Sequence, residues 1–486
     1  MKIKELEPLL QEKKSLYITL ILSIIYVIPL IIADYDYLDD YGRNLYGYGW
    51  QHDGRFVATL LGKMWSLNSA NFSIFPFSTI LSAVTLGFTG YLLTCFFNLD
   101  QNKLVKWSSL LIVTMPTFLG NLVFKFDCLP MSLSLLVIVL PYVFYNSWIK
   151  FFIASVIGIF LSLGLYQSGA TCYFIVGSLF LIKTLINNDW KLFFNRLCTY
   201  IASFIISFLG YLSIINVAKL PVSNRTETIL GKDHFFDLLA ANNEIFMQRL
   251  DLLLYSGNYH YIVFFFIAVS LMGIVFYMYQ NVKSIYKIVV LIPILFVLTV
   301  NLWLISSVNI ILKETYWDLR TFCGLGFFLI LIAFFQSYLK GKIVYLSRFA
   351  TFLVVAFSFM LMAQFGRILT NQNQFQQAVV NDLTYHLKNE TIQKVGFIGT
   401  LPIAPRNEFV YYKFPLFTNL LGSPIGQFSA WTKDALNING MLTNVEVFST
   451  DDFVCKGELI ETTRYYHVRK IDKETLVIDF NKNACN

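Results

Sequence analysis

The chain has 486 residues, of which 56% are hydrophobic, 17% aromatic and only 14% charged. A soluble domain carries roughly 25% charged residues, so this composition excludes a soluble single-core protein and fits a polytopic membrane protein. The net charge of +7 is explained by basic cytoplasmic loops, because no basic helix or basic-aromatic face indicates a nucleic-acid partner.

A basic pair, Lys13-Lys14, precedes the first apolar run. This order is typical of a signal peptide, but no small-x-small cleavage pattern ends the run. We interpret it as an uncleaved first span with a cytoplasmic N-terminus. Since a span needs about 20 apolar residues, the sequence predicts about eleven transmembrane helices, at residues 16–33, 72–97, 107–124, 130–145, 151–166, 169–186, 197–217, 261–279, 288–312, 322–338 and 349–368.

The distribution of Lys and Arg between the short loops predicts which loops are cytoplasmic. Basic residues are more frequent in the loops that a cytoplasmic N-terminus would put inside. The outer face then receives the loop 34–71, the turn at 125–127, the long loop 218–260, the loop 313–320 and everything after residue 368. This orientation divides the chain into a membrane domain, 1–368, and an outer domain, 369–486.

A short acidic-aromatic stretch, residues 34–43, follows the first span. Its adjacent acids Asp39 and Asp40 are the sharpest candidates for catalysis. Adjacent carboxylates near an apolar surface can have raised pKa values, which suits a general base for a sugar hydroxyl. The alternative interpretation is an acidic loop that stays solvated.

Further candidates lie in the same loop. Arg43 and Arg55 can hold a phosphate bidentately, or they can anchor lipid headgroups or pair with the nearby acids. Trp50 can stack on a sugar ring, or it can belong to an interfacial aromatic belt. Residues 56–65 predict a short interfacial helix.

The other outer segments add six candidates. Lys125 and Asp127 share a tight turn, where an ion pair between them competes with a role in the site. Tyr166 and Gln167 form a polar break between two short spans, where Gln167 can bond a substrate hydroxyl or cap a helix. Trp317 and Arg320 belong to a compact cluster with Lys313, Glu314 and Asp318, in which Arg320 can contact a phosphate.

The composition becomes polar after residue 368. Phe375, Ala378, Val379 and Leu383 recur at helical spacing, which predicts that a helix continues out of the last span. Four strands are predicted after it, at 394–398, 445–448, 464–469 and 475–480. About 115 residues suffice for a small α/β domain with its own core. Cys455 and Cys485 can pair in an oxidising compartment.

Two absences narrow the function classes. The histidines have no metal-ligand spacing, and the cysteines form no C-x-x-C pattern. The predicted spans contain almost no ionisable residues, whereas ion-coupled transporters usually need them inside the bundle. The chemistry is therefore expected at the outer membrane-water boundary.

The residues Asp39-Asp40-Tyr41-Gly42-Arg43, followed by Gly49-Trp50 and Asp53-Gly54-Arg55, resemble the first outer loop of a known enzyme family. These are the serotype-converting O-antigen glucosyltransferases carried by temperate phages of enteric bacteria, and the likeness is strongest to their type II branch. Tyr166-Gln167 at a span break is also similar. The layout of ten or more spans with a large outer loop and an outer C-terminal region is shared as well.

The resemblance implies a GT-C-like, inverting glucosyltransferase of the bacterial inner membrane. It implies that glucose moves from undecaprenyl-phosphate glucose onto a rhamnose of lipid-linked O-antigen in the periplasm. Asp39 would be the base, with Asp40 orienting it or binding the acceptor. The implied phosphate-binding residues are Arg43, Arg55, Arg320 and Lys125, and the implied sugar-binding residues are Trp50, Gln167, Tyr166 and Trp317.

No cofactor is implied, and the expected partners are membrane lipids, a flippase and a donor synthase. Two other classes stay open. One is an O-antigen polymerase or ligase, which would transfer whole chains. The other is a non-catalytic translocase of lipid-linked sugars, which would not need Asp39 or Asp40.

Overall fold

The computed structural model describes residues 13–97, 105–220, 228–229, 233–281, 287–313, 317–387, 392–427, 429–438, 445–449 and 456–482. Glu314, Cys455 and Cys485 lie outside these residues, and so does the predicted pairing of the two cysteines. The described α-helices are α1 (Lys13–Ala33), α2 (Asp39–Tyr46), α3 (Phe56–Ser66), α4 (Phe77–Phe96), α5 (Leu119–Leu122), α6 (Cys128–Val139), α7 (Trp148–Leu165), α8 (Gln167–Ala170), α9 (Cys172–Ile186), α10 (Trp190–Val217), α11 (Phe235–Leu254), α12 (Tyr259–Asn281), α13 (Lys287–Leu304), α14 (Leu325–Gln336), α15 (Ile343–Leu387), α16 (Glu408–Lys413), α17 (Leu416–Leu420) and α18 (Ser429–Ile438).

Long apolar helices dominate the part of the chain before residue 387. Seven described helical segments are long and apolar enough to cross a membrane, and four shorter apolar ones accompany them. Each of the eleven predicted spans overlaps one of these segments. The structure is therefore that of a helical membrane protein, and α3 confirms the short helix predicted after Arg55.

The first helix shows why such segments suit lipid. Ser23, Tyr26 and Leu30 of α1 are buried at helical spacing, while Ile21 and Ile28 on the other side are exposed. An exposed apolar stripe of this kind destabilises a protein in water but is favourable against hydrocarbon tails. The exposed and buried stripes together determine which face of α1 points toward lipid and which packs against the protein.

The last long helix joins the membrane part to the C-terminal region. Helix α15 runs for 45 residues without interruption, which confirms that a helix continues out of the last span. It crosses α1 at Gly366, where an added Cβ would lie 2.7 Å from the backbone oxygen of Pro29. Further along, Val379, Val380 and Leu383 are buried in a second apolar core with strand residues.

The C-terminal region contains one mixed five-stranded sheet, whose strands are β1 (Lys394–Ile398), β2 (Glu446–Ser449), β3 (Glu458–Thr462), β4 (His467–Lys470) and β5 (Thr475–Asp479). Their order in the sheet is β2-β1-β5-β4-β3. Strand β1 pairs in parallel with β2 and β5, whereas β4 is antiparallel to both β5 and β3. The central strands β1 and β5 are almost wholly buried.

The C-terminal region is held against the first loop by hydrogen bonds from buried side chains. Gln376 of α15 donates to the Tyr41 hydroxyl at 2.7 Å. The Tyr37 hydroxyl donates to the backbone oxygen of Leu420 at 2.7 Å. Phe417 of α17 stacks on Phe365 of α15, with ring centroids 5.6 Å apart. These contacts position the segment that contains α18 over helix α2.

Candidate active site

Helix α2 presents Asp39 and Asp40 in its first turn. Successive residues of an α-helix are rotated by about 100°, so the two carboxylates point in different directions. Asp40 is 0% exposed, whereas the side chain of Asp39 is 40% exposed. The adjacent acids therefore have different environments, one enclosed by protein and one open to solvent.

The Asp40 carboxylate joins the first loop to the turn at 125–127. It accepts hydrogen bonds from the backbone amides of Lys125 at 3.0 Å, Phe126 at 3.4 Å and Tyr37 at 3.3 Å. Burial raises the pKa of Asp40 to about 8, although the Lys125 amide opposes this shift. Asp40 is thus placed to organise the site, and no solvent reaches its side chain.

The Asp127 carboxylate is the centre of a buried polar network. Its Oδ2 accepts a hydrogen bond from Arg43 Nη1 at 2.6 Å. Its Oδ1 accepts hydrogen bonds from Trp50 Nε1 at 2.7 Å and from Arg55 Nη1 at 3.3 Å. Burial lowers the pKa of Arg43, but the charges of Asp127, Asp39 and Asp40 together outweigh this effect, so the pKa is raised. The network neutralises Arg43 and fixes the loop 43–55 against the 125–127 turn.

Trp50 belongs to this network and not to an open surface. The side chain is 2% exposed, and the Arg43 guanidinium lies 4.8 Å from its ring centroid. Arg43 is itself buried against Asp127. Neither residue presents a free face to a ligand, so the contacts they make here are structural.

Arg55 lies at the boundary between this network and solvent. Its side chain is 20% exposed, and its guanidinium lies 4.9 Å from the Tyr166 ring centroid. Its Nε donates to Gln167 Oε1 at 3.3 Å. Gln167 in turn donates to the backbone oxygen of Asp53 at 2.7 Å and to the Tyr211 hydroxyl at 3.2 Å. The polar break between α7 and α8 thus supports the Arg55 loop.

Arg320 approaches the same aromatic ring from another loop. The Tyr166 hydroxyl donates to the backbone oxygen of Arg320 at 3.3 Å. The Arg320 side chain is also 20% exposed, and its Nε lies 3.2 Å from Asp318 Oδ2. Arg55 and Arg320 therefore flank Tyr166. Trp317 is buried and packs on Phe322, with ring centroids 6.4 Å apart.

Lys125 and Asp127 have different partners, instead of the mutual ion pair that was one interpretation of their turn. Lys125 Nζ lies 2.7 Å from Asp34 Oδ1 and 2.8 Å from Asp36 Oδ1. Burial would lower the pKa of Lys125, but these carboxylates raise it. The turn is therefore linked to the first loop by three separate acids, Asp34, Asp36 and Asp40.

The open acid, Asp39, has a partner that the sequence did not reveal. The indole nitrogen of Trp431, in α18, donates to Asp39 Oδ1 at 3.0 Å. On its other side, Asp39 Oδ2 lies 3.9 Å from Arg43 Nη1. No pattern links residues so far apart in the chain. The short helix α18 has no motif of its own, so only the folded structure brings Trp431 to the acid.

The arrangement combines three chemical capacities at one end of the apolar helices. A partly exposed carboxylate, Asp39, can take a proton from a hydroxyl group. Two partly exposed guanidinium groups, Arg55 and Arg320, can hold a phosphate. The buried Asp40 and Asp127 fix the loops that carry these groups, as preorganisation of a site requires.

Comparisons with known proteins relate the chain to a family of glucosyl transferases. A family model described as "Glucosyl transferase GtrII" matches residues 28–331, which include every residue of the site except Trp431. A protein of Salmonella phage P22, named "Uncharacterized 55.3 kDa protein in gtrB 5'region", is 24% identical over 477 residues. The alignment covers 95% of this chain and 97% of that protein. No solved structure matches the chain.

Proposed function

Because the chain belongs to the GtrII family of glucosyl transferases, we propose that it moves glucose from undecaprenyl-phosphate glucose onto lipid-linked O-antigen. The acceptor sugar would be a rhamnose, and the reaction would take place at the periplasmic face of a bacterial inner membrane. The observation that supports this most is the partly exposed Asp39 carboxylate, which is connected through buried Arg43 and Asp127 to the partly exposed Arg55, in loops between apolar helices.

The position of the site suits a lipid-borne donor. A polyprenyl chain is too apolar to leave the bilayer. The enzyme must therefore bind the donor phosphate at the membrane surface, where the helices end. Asp39 comes six residues after the last residue of α1, and Arg55 immediately precedes α3. Loops anchored this closely to membrane helices hold charged side chains at the depth of a lipid phosphate.

The proposed reaction is a single displacement. Asp39 takes the proton of the acceptor hydroxyl, and the hydroxyl oxygen attacks the anomeric carbon of glucose. The bond from that carbon to the donor phosphate oxygen breaks, and the electron pair leaves with undecaprenyl phosphate. Attack from the face opposite the leaving group inverts the anomeric configuration. Arg55 and Arg320 stabilise the negative charge that grows on the departing phosphate.

The buried groups support this step indirectly. Arg43 cannot hold the donor phosphate while its charge is matched by Asp127, so its proposed role is to position Asp39 and Arg55. Lys125, paired with Asp34 and Asp36, would contribute by fixing the turn. Trp50, Gln167 and Tyr166 would fix the Arg55 loop. This proposal moves direct sugar contact away from Trp50 and Trp317, whose rings are buried.

The organisation of the whole chain is part of the proposal. Eleven spans with a cytoplasmic N-terminus would put α2, α18 and the sheet on the periplasmic side. Residues 1–368 would form the membrane domain and residues 369–486 the periplasmic domain. Cysteine-accessibility labelling at exposed positions such as Tyr46 and Tyr385 would test this, since both should react with a reagent that cannot cross the inner membrane.

The test of the reaction is product analysis with purified protein in proteoliposomes. Undecaprenyl-phosphate glucose and a lipid-linked rhamnose-containing acceptor should give an acceptor with one added hexose of inverted configuration. A sugar nucleotide supplied in place of the lipid donor should give no product. Retention of configuration would contradict the single displacement, and an acceptor of altered chain length would indicate the polymerase or ligase alternative.

A further inference from the structure

Helix α18 packs against α2 at Gly42. It thereby brings a second carboxylate, that of Asp434, to the helix that carries Asp39. Asp434 comes so close to α2 that a Cβ placed on Gly42 would lie 2.7 Å from its Oδ2. The same point lies 2.7 Å from the Tyr48 hydroxyl oxygen. A side chain at position 42 would displace the Asp434 carboxylate and the Tyr48 hydroxyl from these positions. Gly42 therefore permits the close approach that brings Asp434 to the first loop.

The groups around this contact form one continuous surface. Tyr48 lies between the two acids. Its hydroxyl donates to the backbone oxygen of Asp39 at 3.4 Å, and its oxygen and Asp434 Oδ2 each lie 2.7 Å from the same point beside Gly42. Tyr46 forms a hydrogen bond with Asp434. The Trp431 indole is bonded to Asp39. We name this surface the α18 platform, which consists of Asp39, Tyr46, Tyr48, Trp431 and Asp434.

The platform is accessible and has a distinct chemistry. Tyr46 and Tyr48 are exposed, the Asp39 side chain is partly exposed, and Trp431 and Asp434 are half-buried. Carboxylates only accept hydrogen bonds, so they match ligands that offer several O–H donors. Tyr and Trp offer flat apolar faces with a polar edge. Hydroxyl donors on a compact ring with apolar C–H faces are the features of a sugar.

The charges around the platform also limit which sugar can bind. Arg43 lies beneath it, but this guanidinium is buried and matched by Asp127. Lys433 is the exposed cation next to Asp434. Two carboxylates face the ligand side, so a sugar that carries its own carboxylate would be repelled. Rejection of a like charge is a common way to obtain specificity.

We infer that the α18 platform binds the acceptor sugar and selects an uncharged sugar over an acidic one. This inference rests on the proposed function, because it takes Asp39 as the base of the same site. The C-terminal region thereby supplies half of the acceptor site, and Trp431 has two roles. Its N–H positions Asp39, and its ring supports the sugar whose hydroxyl Asp39 deprotonates.

The experiment uses the full-length protein in proteoliposomes, with undecaprenyl-phosphate glucose and two lipid-linked acceptors. One acceptor ends in a neutral sugar, and the other is identical except for a uronic acid at that position. Wild-type protein should use the neutral acceptor with a kcat/KM at least about 10-fold higher. Asp434→Asn should raise KM for the neutral acceptor about 10-fold, leave KM for the donor unchanged and narrow the discrimination between acceptors.

Two tryptophan variants separate the two roles of Trp431. Trp431→Phe removes the N–H donor but keeps a ring, so kcat should fall while acceptor KM changes little. Trp431→Ala removes both, so kcat should fall and acceptor KM should also rise. Ile438→Ala, at the exposed end of the same helix, is the control and should match the wild type.

The outcomes distinguish this inference from the proposed function. If the wild type transfers glucose but Asp434→Asn and Trp431→Ala keep the wild-type acceptor KM, the platform is not the acceptor site and only the inference fails. If the wild type transfers no glucose, the proposed function fails. Saturation-transfer NMR with a neutral oligosaccharide and no donor then tests whether the platform binds a sugar. If the Trp431→Ala substitution abolishes this binding, the result supports the inference. If binding survives the substitution, the result contradicts the inference.

Discussion

Arg43 and Asp127 form a buried ion pair, with Arg43 Nη1 2.6 Å from Asp127 Oδ2, and this pair joins the first loop to the turn after the third apolar segment. Both side chains are almost fully enclosed. Buried pairs are strongly destabilising to break, because the remaining partner keeps an uncompensated charge in a low-dielectric environment. Asp39 contacts Arg43 and Arg55 contacts Asp127, so the pair connects the positions of these two side chains.

Removing one charge of this pair should destabilise the folded protein. Asp127→Asn is expected to lower the free energy of unfolding by about 3–5 kcal/mol, and Arg43→Met should have a smaller effect, because Asp127 keeps Arg55 and Trp50 as partners. The double variant should recover part of the loss, since it leaves no single charge buried. Thermal unfolding in detergent measures this, and a single variant as stable as the wild type would show that the pair is dispensable.

Asp40 should make stability depend on pH. Burial raises its pKa to about 8, above the unfolded value near 4. A raised carboxyl pKa gives a stabilising contribution that is complete below the unfolded pKa and is lost as pH rises through the folded pKa. The wild-type unfolding temperature should thus fall between about pH 4 and pH 8 and level off above this range. Asp127, Arg43 and Asp36 are the charged groups that influence this carboxyl.

Asp40→Asn is the comparison for this pH effect. The amide cannot ionise, so its unfolding temperature should change less over the same pH range than that of the wild type. The absolute stability of this variant should be lower, because an amide nitrogen cannot accept from the Lys125, Phe126 or Tyr37 amides. Parallel pH curves for the two proteins would mean that Asp40 is not the group responsible.

Arg55 and Arg320 should act on the donor and not on the acceptor. Arg55→Gln and Arg320→Gln are each expected to lower kcat about 100-fold, because each removes a charge that stabilises the leaving phosphate. The Lys variants should recover only part of this rate, since lysine lacks the bidentate fork. Arg406→Gln, an exposed arginine of the C-terminal region, is the control for the loss of one positive charge.

The variants at Arg55 also need a stability control, because Arg55 contacts Asp127. Unfolding temperatures and membrane levels should be measured beside the kinetics. A change confined to acceptor KM would place the two arginines outside the donor site.

Gly366 should be required for the crossing of α1 and α15. An added Cβ would lie 2.5 Å from Pro29 Cβ and 2.7 Å from its backbone oxygen. The backbone of α1 must move to relieve this contact, so Gly366→Ala should lower the free energy of unfolding by about 1–3 kcal/mol. Gly210→Ala is the matched control, because its nearest contact would be an ordinary 3.8 Å to Phe160.

The sequence predicted much of the membrane part because apolar length is a local property. It also indicated the C-terminal helix and four of the five described strands, where apolar residues alternate or repeat. Strand β3 was missed because all five of its residues, Glu458–Thr462, are exposed. An edge strand with no buried face leaves no apolar alternation to detect.

The site shows the same division between local and distant information. The acids and arginines of the first loop could be identified from their pattern. The contrast between Asp39 and Asp40 could not, since it depends on amides of Lys125 and Phe126 that only the fold brings near. Trp431 was missed for the same reason, and its contact with Asp39 joins residues 392 positions apart.

The central claim is that Asp39 removes the proton from the acceptor hydroxyl. It is tested most directly by single-turnover glucose transfer in proteoliposomes that contain purified wild-type, Asp39→Asn or Asp237→Asn protein, with donor and acceptor both saturating. Asp237 is an exposed carboxylate on α11 and controls for the loss of one negative charge. The account predicts that Asp39→Asn lowers the transfer rate at least about 100-fold, while Asp237→Asn keeps the wild-type rate and the unfolding temperatures of all three stay close. Transfer by Asp39→Asn within a few-fold of the wild-type rate would contradict it.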